Sequence, residues 1–499
     1  MRTLMHLEPK DVFFFFEEIS KIPHGSGNTR QISNYLVEFA VQRNLEHYQD
    51  ELGNVIIIKE ASEGYENHEP VMLQGHMDMV AVKKPGCPLD MEKDGLVLSV
   101  EGDDLMAEGT SLGGDDGIAV AYGLALLDGK DYKHPRIEFV VTVDEEVGMD
   151  GARVLDVTSL KAKRLVNLDS EEEGIFLAGC AGGARVNLFC DYEMENKKGI
   201  PCVVRVSGLK GGHSGEEIQK ERGNAICILG RVLVKLSGKM DFAIESLTGG
   251  VADNAIPTGA EARILITGYG NRNGYQKVMR DGFADQECLA LLKFTCDKME
   301  RELSVELAEK DENIRIDTVY GKAGELHVLS GEKSLEVISL LNALPWGVQA
   351  MSSAMKGLVE TSLNPGLLSL AEGRIHIGIS VRSSIESAKE ALIDRLKSIA
   401  RLSGVDVEVT GEYPGWNYQK ESPLREKMVE IYRKIYHREP KVRAIHAGVE
   451  CGLLISKIPG LDCVSIGPDM KDIHTFEERL SISSTGRVWE YLLRLLENM

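Results

Sequence analysis

At 499 residues, 43% apolar and 27% charged, the chain has an ordinary globular make-up and length for about two to four domains with sizeable cores. A formal net charge of −21, with lysines and arginines scattered rather than blocked, argues against nucleic acid as the main ligand, because phosphate binding is driven by those cations. No apolar run approaches the roughly 20 residues of a spanning helix, residues 1–10 are too polar for a signal peptide, and the nine cysteines are scattered without a CxxC pair. The expectation is a cytoplasmic protein with no membrane association, no disulfide framework and no thiolate zinc site.

Residues 9–44 read as helical. Phe13, Phe14, Phe16 and Ile19 recur at helix spacing, a Pro-Gly turn carrying His24 interrupts, and Ile32, Tyr35, Leu36 and Phe39 resume the pattern. His24 reads as structural. Segments 54–59 and 71–74 are short strands. The second runs almost straight into His76, and Asp78 follows two positions later, on the same side of an extended chain. Segments 96–99 and 105–107 read as a hairpin, followed by the glycine-rich run 109–117 and an apolar helix over 118–127. Strand 136–143 runs into Asp144, Glu145 and Glu146. Strand 164–168 runs into Asp169 and the run 171–173, whose glutamates read as a solvated face. Strands alternating with helices argue for an α/β layer structure, in which sites lie beyond the carboxyl ends of the strands.

From about residue 185 the order becomes β-α-β-β-α-β: strand 203–207, helix 222–236, strands 241–247 and 261–266, helix 275–307, strand 314–319. A looser second copy follows: helix 333–343, strands 356–363, 367–370 and 374–382, helix 388–402, strand 406–410. Residues 185–411 thus read as an inserted lid with two related halves, and 1–184 and 412–499 as the two parts of a discontinuous first domain. The last part reads as helix 423–437, strand 442–446, helix 448–457 with Glu450 and Cys451 in its first turn, and strand 461–466 feeding the loop that holds His474. Helix 484–498 closes the chain.

The strand-end and loop residues pool into His76, Asp78, Asp115, Glu145, Glu146, Asp169 and His474. Imidazoles with carboxylates suit zinc, cobalt or manganese, whereas calcium wants oxygens alone. The set exceeds the about four ligands of one zinc, which points to two metals sharing a carboxylate. Each residue also has a plain reading. A histidine after a strand can cap or face solvent, Asp169 can cap a helix, and Asp115-Asp116 can make a turn and an N-cap. Gly109-Thr110-Ser111-Leu112-Gly113 has the G-x-S-x-G form of a nucleophile elbow, but Gly-Gly-Asp-Asp-Gly separates the serine from the helix that must follow it directly. The same run lacks the Lys-Ser/Thr of a phosphate-binding loop.

Ordered motifs along nearly the whole chain resemble the M20 metallopeptidase family, and within it the dipeptidases. In the first segment they are LQGHMDMV, GTSLGGDDGIAVA, TVDEEVGMDGA, NLDSEEEG and GCAGG. In the lid they are GLKGGHSG, GGVADNAIP and GLVETSLNPG, and the last segment adds HAGVECGLL and IGPDMKDIHTFEERL. The resemblance implies an α/β fold: a zinc-peptidase-like catalytic domain with a mixed sheet, plus an inserted α+β lid of two ferredoxin-like halves. It implies two Zn2+ per chain, with Co2+ or Mn2+ as substitutes. His76 and Asp169 would hold one, Glu146 and His474 the other, and Asp115 would bridge. Asp78 would hydrogen-bond His76, and Glu145 would be the general base that passes a proton from the attacking water to the leaving amine. His213 would stabilise the oxyanion, and Asn254 and Arg382 would grip the substrate's C-terminal carboxylate, a task suited to a guanidinium fork. The implied activity is hydrolysis of unblocked dipeptides, Xaa-His and broader, with a closing lid excluding longer peptides. Other amidohydrolase or aminopeptidase activity, and a metal-binding homologue without turnover, are the alternatives. A homodimer and a monomeric catalytic unit both stay open, and no chemistry attaches to His446 or Glu450. His-Thr-Phe-Glu-Glu-Arg stands where His-Ser-Pro-Asp-Glu-Arg is usual in these relatives, which keeps the ligand and bears only on the geometry of its loop.

Overall fold

The structure is a computed structural model and describes residues 3–271, 275–278 and 283–499. It divides into two compact units: Met1–Cys180 with Trp416–Ala444 and Val449–Met499, and Ala181–Gly415 with Ile445–Gly448. Residues 181–184 and 412–415 thus go with the second unit, where Gly182–Asp191 and Asp406–Tyr413 pair as strands.

The first unit is built on an eight-stranded mixed sheet. Its order is Glu46–Gln49, Val55–Lys59, Ile137–Thr142, Val71–His76, Arg164–Asn167, Asp462–Ser465, Ile175–Leu177 and Lys441–Arg443. Ile137–Thr142, Val71–His76, Arg164–Asn167 and Asp462–Ser465 run parallel. Every residue of the first two of these is buried, which is why they read as nearly unbroken apolar runs. Each fully buried Val, Leu or Ile contributes about 1.5–3 kcal/mol. Helix Gly114–Asp128 is buried from Gly114 to Leu127, as expected of a helix apolar on all sides. Tyr122 in its middle stacks on Trp489 of the last helix, Ile482–Glu497, and donates its hydroxyl to the Thr485 carbonyl at 2.9 Å.

A small four-stranded sheet orders Met470–Lys471, Arg479–Ser481, Asp104–Ala107 and Leu98–Glu101. The expected hairpin is its outer half, and its inner half frames the loop that bears His474. Two expectations fail in this unit. The strand expected to reach His446 stops at Arg443, because only Lys441–Arg443 finds a partner, in Ile175–Leu177. The 171–173 run is not wholly solvated: Glu173 is nearly buried in a bidentate pair with Arg487 and a second pair with Arg438.

Among the described residues, the second unit is an eleven-stranded antiparallel sheet with helices packed against it. Met194–Ser207, helix Ala225–Ser237, Met240–Gly249, Ala260–Asn271, helix Phe283–Glu306 and Arg315–Tyr320 form one half, with strand order 4-1-3-2. Gly182–Asp191, helix Gly331–Ala343, Val359–Ala371, Arg374–Ser383, helix Glu386–Ser403 and Asp406–Tyr413 form the other in the same order. The halves join edge to edge where Leu247 faces Leu370. The first strand of the second half precedes the whole first half, so one half is inserted into the other. The strands expected at 356–363 and 367–370 are one, bulged between Pro365 and Leu367. Of the helix expected from Tyr275, Phe283–Glu306 is helical, whereas Tyr275–Val278 is a strand beside Ala260–Asn271. Residues 279–282 of that expected helix lie outside the described residues. No helix among the described residues is long and apolar enough to cross a membrane.

Candidate metal centre

The carboxyl ends of the four parallel strands of the first unit deliver the candidate ligands. His76 ends its own strand, and Glu145 and Glu146 follow Ile137–Thr142. Asp169 follows Arg164–Asn167, and His474 lies in the loop beyond Asp462–Ser465. Asp115 comes from the irregular first turn of helix Gly114–Asp128, where Asp115 (ψ 105°) and Asp116 (φ −117°) leave helical dihedrals.

Asp115 is the centre of the cluster. Its Oδ1 lies 3.2 Å from His76 Nε2, and its Oδ2 lies 3.2 Å from His474 Nε2. Each imidazole meets a further carboxylate with that same nitrogen, His76 Nε2 with Asp169 Oδ1 at 3.6 Å and His474 Nε2 with Glu146 Oε1 at 2.9 Å. Glu146 Oε1 is buried and takes no aligned hydrogen bond despite that short approach. Lone pairs converging on one point, rather than donor aimed at acceptor, are what ligands around a common cation show. Two groups of donors gather within metal-binding distance, His76 with Asp116 and Asp169, and His76 with Asp115 and Glu146. Asp116 is better explained as support: its Oδ2 accepts the His76 backbone N–H at 3.1 Å. Gly75 makes that approach possible, because a Cβ there would collide with the Asp116 carboxylate and Ala119.

Asp78 aims two elements at once. His76 Nδ1 is 3.0 Å from the Asp78 carbonyl oxygen and 3.5 Å from its carboxylate. The carboxylate also accepts the backbone N–H of Glu145 at 3.0 Å, that of Glu146 at 3.4 Å, and the Ser26 hydroxyl at 2.8 Å. It therefore fixes the turn that presents both glutamates as well as the His76 ring.

The electrostatics describe a site short of positive charge. Burial, with Asp169 beside it, pushes the Asp116 carboxyl well up, and burial with Asp169, Glu450 and Glu146 nearby does the same to Glu145. Burial outweighs the pull of His76 and lifts Asp169 as well. His474, against Asp115 and Glu146, is pushed up to about 10. Burial opposes a charged His76, but Asp115, Asp169 and Asp78 outweigh it and hold its pKa well above the usual value. Burial likewise opposes an ionised Asp115, and the two imidazoles win there. Protons stand in for cations in such a cluster, and the mixed nitrogen and oxygen donors fit zinc, cobalt or manganese.

Some residues here had no role assigned from the sequence. Glu450 is fully buried, accepting from Gln74 at 2.5 Å and Thr142 at 2.6 Å, and burial pushes its carboxyl up to about 8. Gln74 in turn accepts from Asn167 at 2.6 Å, so a polar seam crosses three neighbouring strands behind the ligands. Polar residues inside the apolar strands were the available clue. Glu478, which the sequence offered only as an unassigned member of the IGPDMKDIHTFEERL motif, is 3% exposed and accepts four successive backbone amides of the Leu112–Asp115 stretch. The serine of the elbow-like motif, Ser111, is fully buried, donating to the Val80 carbonyl at 2.7 Å and accepting from Val82 N–H at 3.2 Å, which rules it out as a nucleophile. His24 is buried with Nδ1 2.6 Å from the Ile22 carbonyl, a structural placement.

The remaining candidates form a cluster of their own in the second unit. His213 sits opposite Ala255 in a two-residue antiparallel pairing, and Ser214 N–H donates to the Asn254 carbonyl at 2.7 Å. His213 Nδ1 accepts the Glu216 N–H at 3.2 Å, which leaves Nε2 to carry the proton. The Asn254 side chain is exposed. Arg382 donates to the Tyr413 hydroxyl at 3.1 Å, while its buried Nε has no partner. His213 and Arg382 flank Gly215 closely, since a Cβ there would lie 3.1 Å from the His213 ring and 3.3 Å from the guanidinium carbon. His446 Nε2 lies 2.7 Å from the Ser362 hydroxyl. Burial, with Arg382 nearby, lowers the pKa of His213 and pushes that of His446 down to about 3.

The sequence matches the family described as Peptidase family M20/M25/M40 over residues 72–498. It is 36% identical over 503 aligned positions to the cytosol non-specific dipeptidase of Escherichia coli (strain K12), covering 100% of this chain and 99% of that one. The fold is similar to the crystal structure of aminoacylhistidine dipeptidase from Vibrio alginolyticus, with a TM-score of 0.88, 34% identity, and coverage of 99% of this chain and 98% of that one. Aminopeptidase PepT from Bacillus cereus ATCC 10987 shares the fold at a TM-score of 0.55 and 17% identity, over 99% of each chain. From the strand-end cluster to the full-length similarity, these findings agree that the chain belongs to peptidase family M20/M25/M40.

Proposed function

We propose that the protein is a dinuclear metallo-dipeptidase that hydrolyses the peptide bond of unblocked dipeptides, Xaa-His and broader. The carrying observation is Asp115, whose two oxygens each face an imidazole that has a further carboxylate of its own. The relatives reported above, a non-specific dipeptidase and an aminoacylhistidine dipeptidase, support the substrate class. The donor set suits two zinc ions, one at His76 and Asp169, one at Glu146 and His474, with Asp115 shared and cobalt or manganese as substitutes. When bound, the pair supplies Lewis-acid polarisation of the scissile carbonyl and acidifies water near neutral pH.

Glu145 is the general base. Its neighbour Glu146 turns to His474, and its own carboxyl, raised by burial and adjacent carboxylates, is suited to accept a proton from water and return it to the leaving amine. Asp78 keeps the His76 ring and the Glu145–Glu146 turn in place. His213 is neutral at pH 7 with Nε2 free to donate, as an oxyanion donor requires. Arg382, with its unpartnered Nε, and Asn254 are the proposed groups for the substrate carboxylate. The protein works in the cytoplasm.

A panel of dipeptides, N-blocked dipeptides and tetrapeptides, run before and after chelation and with zinc restored, tests this reading. Cleavage of free dipeptides alone, lost with chelator and regained with zinc, is the expected result. Rapid tetrapeptide cleavage would make the enzyme an aminopeptidase, and full activity in chelator would remove the metal from the chemistry.

A further inference from the structure

Glu478 has a bonding pattern that the reaction as described leaves unused. Its Oε2 accepts the N–H of Leu112 at 2.8 Å and of Gly113 at 3.0 Å. Its Oε1 accepts the N–H of Gly114 at 2.8 Å and of Asp115 at 3.3 Å. Four successive amides on one carboxylate require the chain to wrap around it. Gly113 supplies the bend with φ +67°, a left-handed conformation that side chains resist. The stretch so wrapped ends at Asp115, the carboxylate between the two imidazoles.

The other end of the linkage is the His474 loop. Met470 faces Leu480 and Lys471 faces Arg479 in antiparallel pairing, so residues 472–478 form the tip of a hairpin. His474 lies in that tip, with φ +61°, and Asp472 also has a positive φ of 52°. Thr475 Oγ1 donates to the Asp472 carbonyl at 2.6 Å and accepts the Glu477 N–H at 3.1 Å, which holds the unusual backbone. Glu478 stands at the base of the hairpin, and Leu480 just beyond it pairs with Leu105. One side chain therefore ties the segment carrying Asp115 to the segment carrying His474, although the two are 359 residues apart. On its other flank the Asp115 segment is tied by Ser111 to Val80 and Val82, just past His76. The His76–Asp115 spacing thus has its own tie, and the Asp115–His474 spacing depends on Glu478.

We propose that Glu478 is a positioning residue that sets the spacing of Asp115 and His474, and so governs how tightly the metal at Asp115, Glu146 and His474 is held. It touches neither metal nor substrate. The proposal rests on the two-metal reading above. A carboxylate is needed because all four of its partners are donors; an amide in its place would turn its own N–H groups toward two of them.

The test is a Co2+ titration of the metal-free full-length protein, followed by its visible absorption and by competition with a chelator. Wild type takes up two equivalents. Glu478→Gln should take up one as wild type does and bind the other about 10- to 100-fold more weakly, the range for losing an outer support of a ligand, with only part of the Co2+ spectrum altered. The control is Glu138→Gln. Glu138 is equally buried and accepts the N–H of Lys161 at 2.9 Å and of Ala162 at 3.0 Å, away from the ligands. That variant should lose thermal stability and keep both Co2+ affinities. Should Glu478→Gln fail to fold, Glu478→Asp, which keeps the charge and draws it back by one methylene, decides by the same selective weakening. Unchanged Co2+ binding in the folded Glu478 variant, or equal weakening in the Glu138 control, would overturn the proposal. A wild type that takes up one equivalent would instead overturn the two-metal reading. Glu478 would then be judged by whether that single equivalent weakens in its variant and not in the control.

Discussion

The two units carry clusters of opposite electrical character. In the first, six carboxylates (Asp78, Asp115, Asp116, Glu145, Glu146 and Asp169) surround two imidazoles, and burial with mutual repulsion drives the carboxyls of Asp116, Glu145 and Asp169 upward. In the second, Arg382 lies among imidazoles whose pKa values are driven down by burial and by that same cation. In the first, carboxylates outnumber the imidazoles, and in the second, the buried Arg382 Nε has no hydrogen-bond partner. On the proposed function, the first cluster would take metal ions and the second the substrate's carboxylate.

Several substitutions would break or sharpen that contrast. The largest effect belongs to Glu145→Gln, which should lower kcat by about 10²- to 10⁴-fold, the usual worth of a general base, while metal content stays at the wild-type level. Loss of metal instead would make Glu145 a ligand. Next, Arg382→Ala should raise KM for dipeptides by roughly 10- to 100-fold, as expected for removing a hydrogen-bonded charge partner, with metal content unchanged. A change in metal content would merge the two clusters into one function. Asp78→Asn should weaken metal binding by about tenfold and disturb the Glu145–Glu146 turn, whereas His76→Ala should lose one metal outright; equal loss from both would contradict their separate roles.

The smallest effect is on the pH dependence of stability. His446 is held neutral in the folded chain, its pKa pushed down from 6.5 to about 3 by burial and by Arg382. The unfolded chain therefore binds a proton below about pH 6.5 that the folded chain refuses, so stability is fully present above pH 6.5 and declines as the pH falls toward 3. His446→Gln should flatten that part of the curve in urea unfolding measured from pH 7 to 4. An unchanged slope would mean that His446 is already charged in the folded state.

The candidate ligands were legible because each apolar strand runs directly into its charged residue: Val71–His76 into His76, Ile137–Thr142 toward Glu145 and Glu146, Arg164–Asn167 toward Asp169. Partners far apart in sequence were not legible. Glu173 reads as one of three surface acids until Arg487, 314 residues later, closes on it. Glu478 has no local pattern, because its four partners are backbone amides more than 360 residues away. The nesting of the second unit escaped for a related reason. Its second half begins with Gly182–Asp191, and the partners of that strand, Arg374–Ser383 and Asp406–Tyr413, arrive only after the entire first half. The strand was readable in itself: Ala184, Val186 and Leu188 are buried in alternation with Arg185, Asn187 and Phe189.

The claim that two metals share Asp115 is tested most directly by diffraction from crystals grown with zinc, recorded at the zinc absorption edge. The account predicts two anomalous peaks in each chain, one on the His76 and Asp169 side of Asp115 and the other on the His474 and Glu146 side. A single peak, or peaks that leave Asp115 without contact to either, would contradict it.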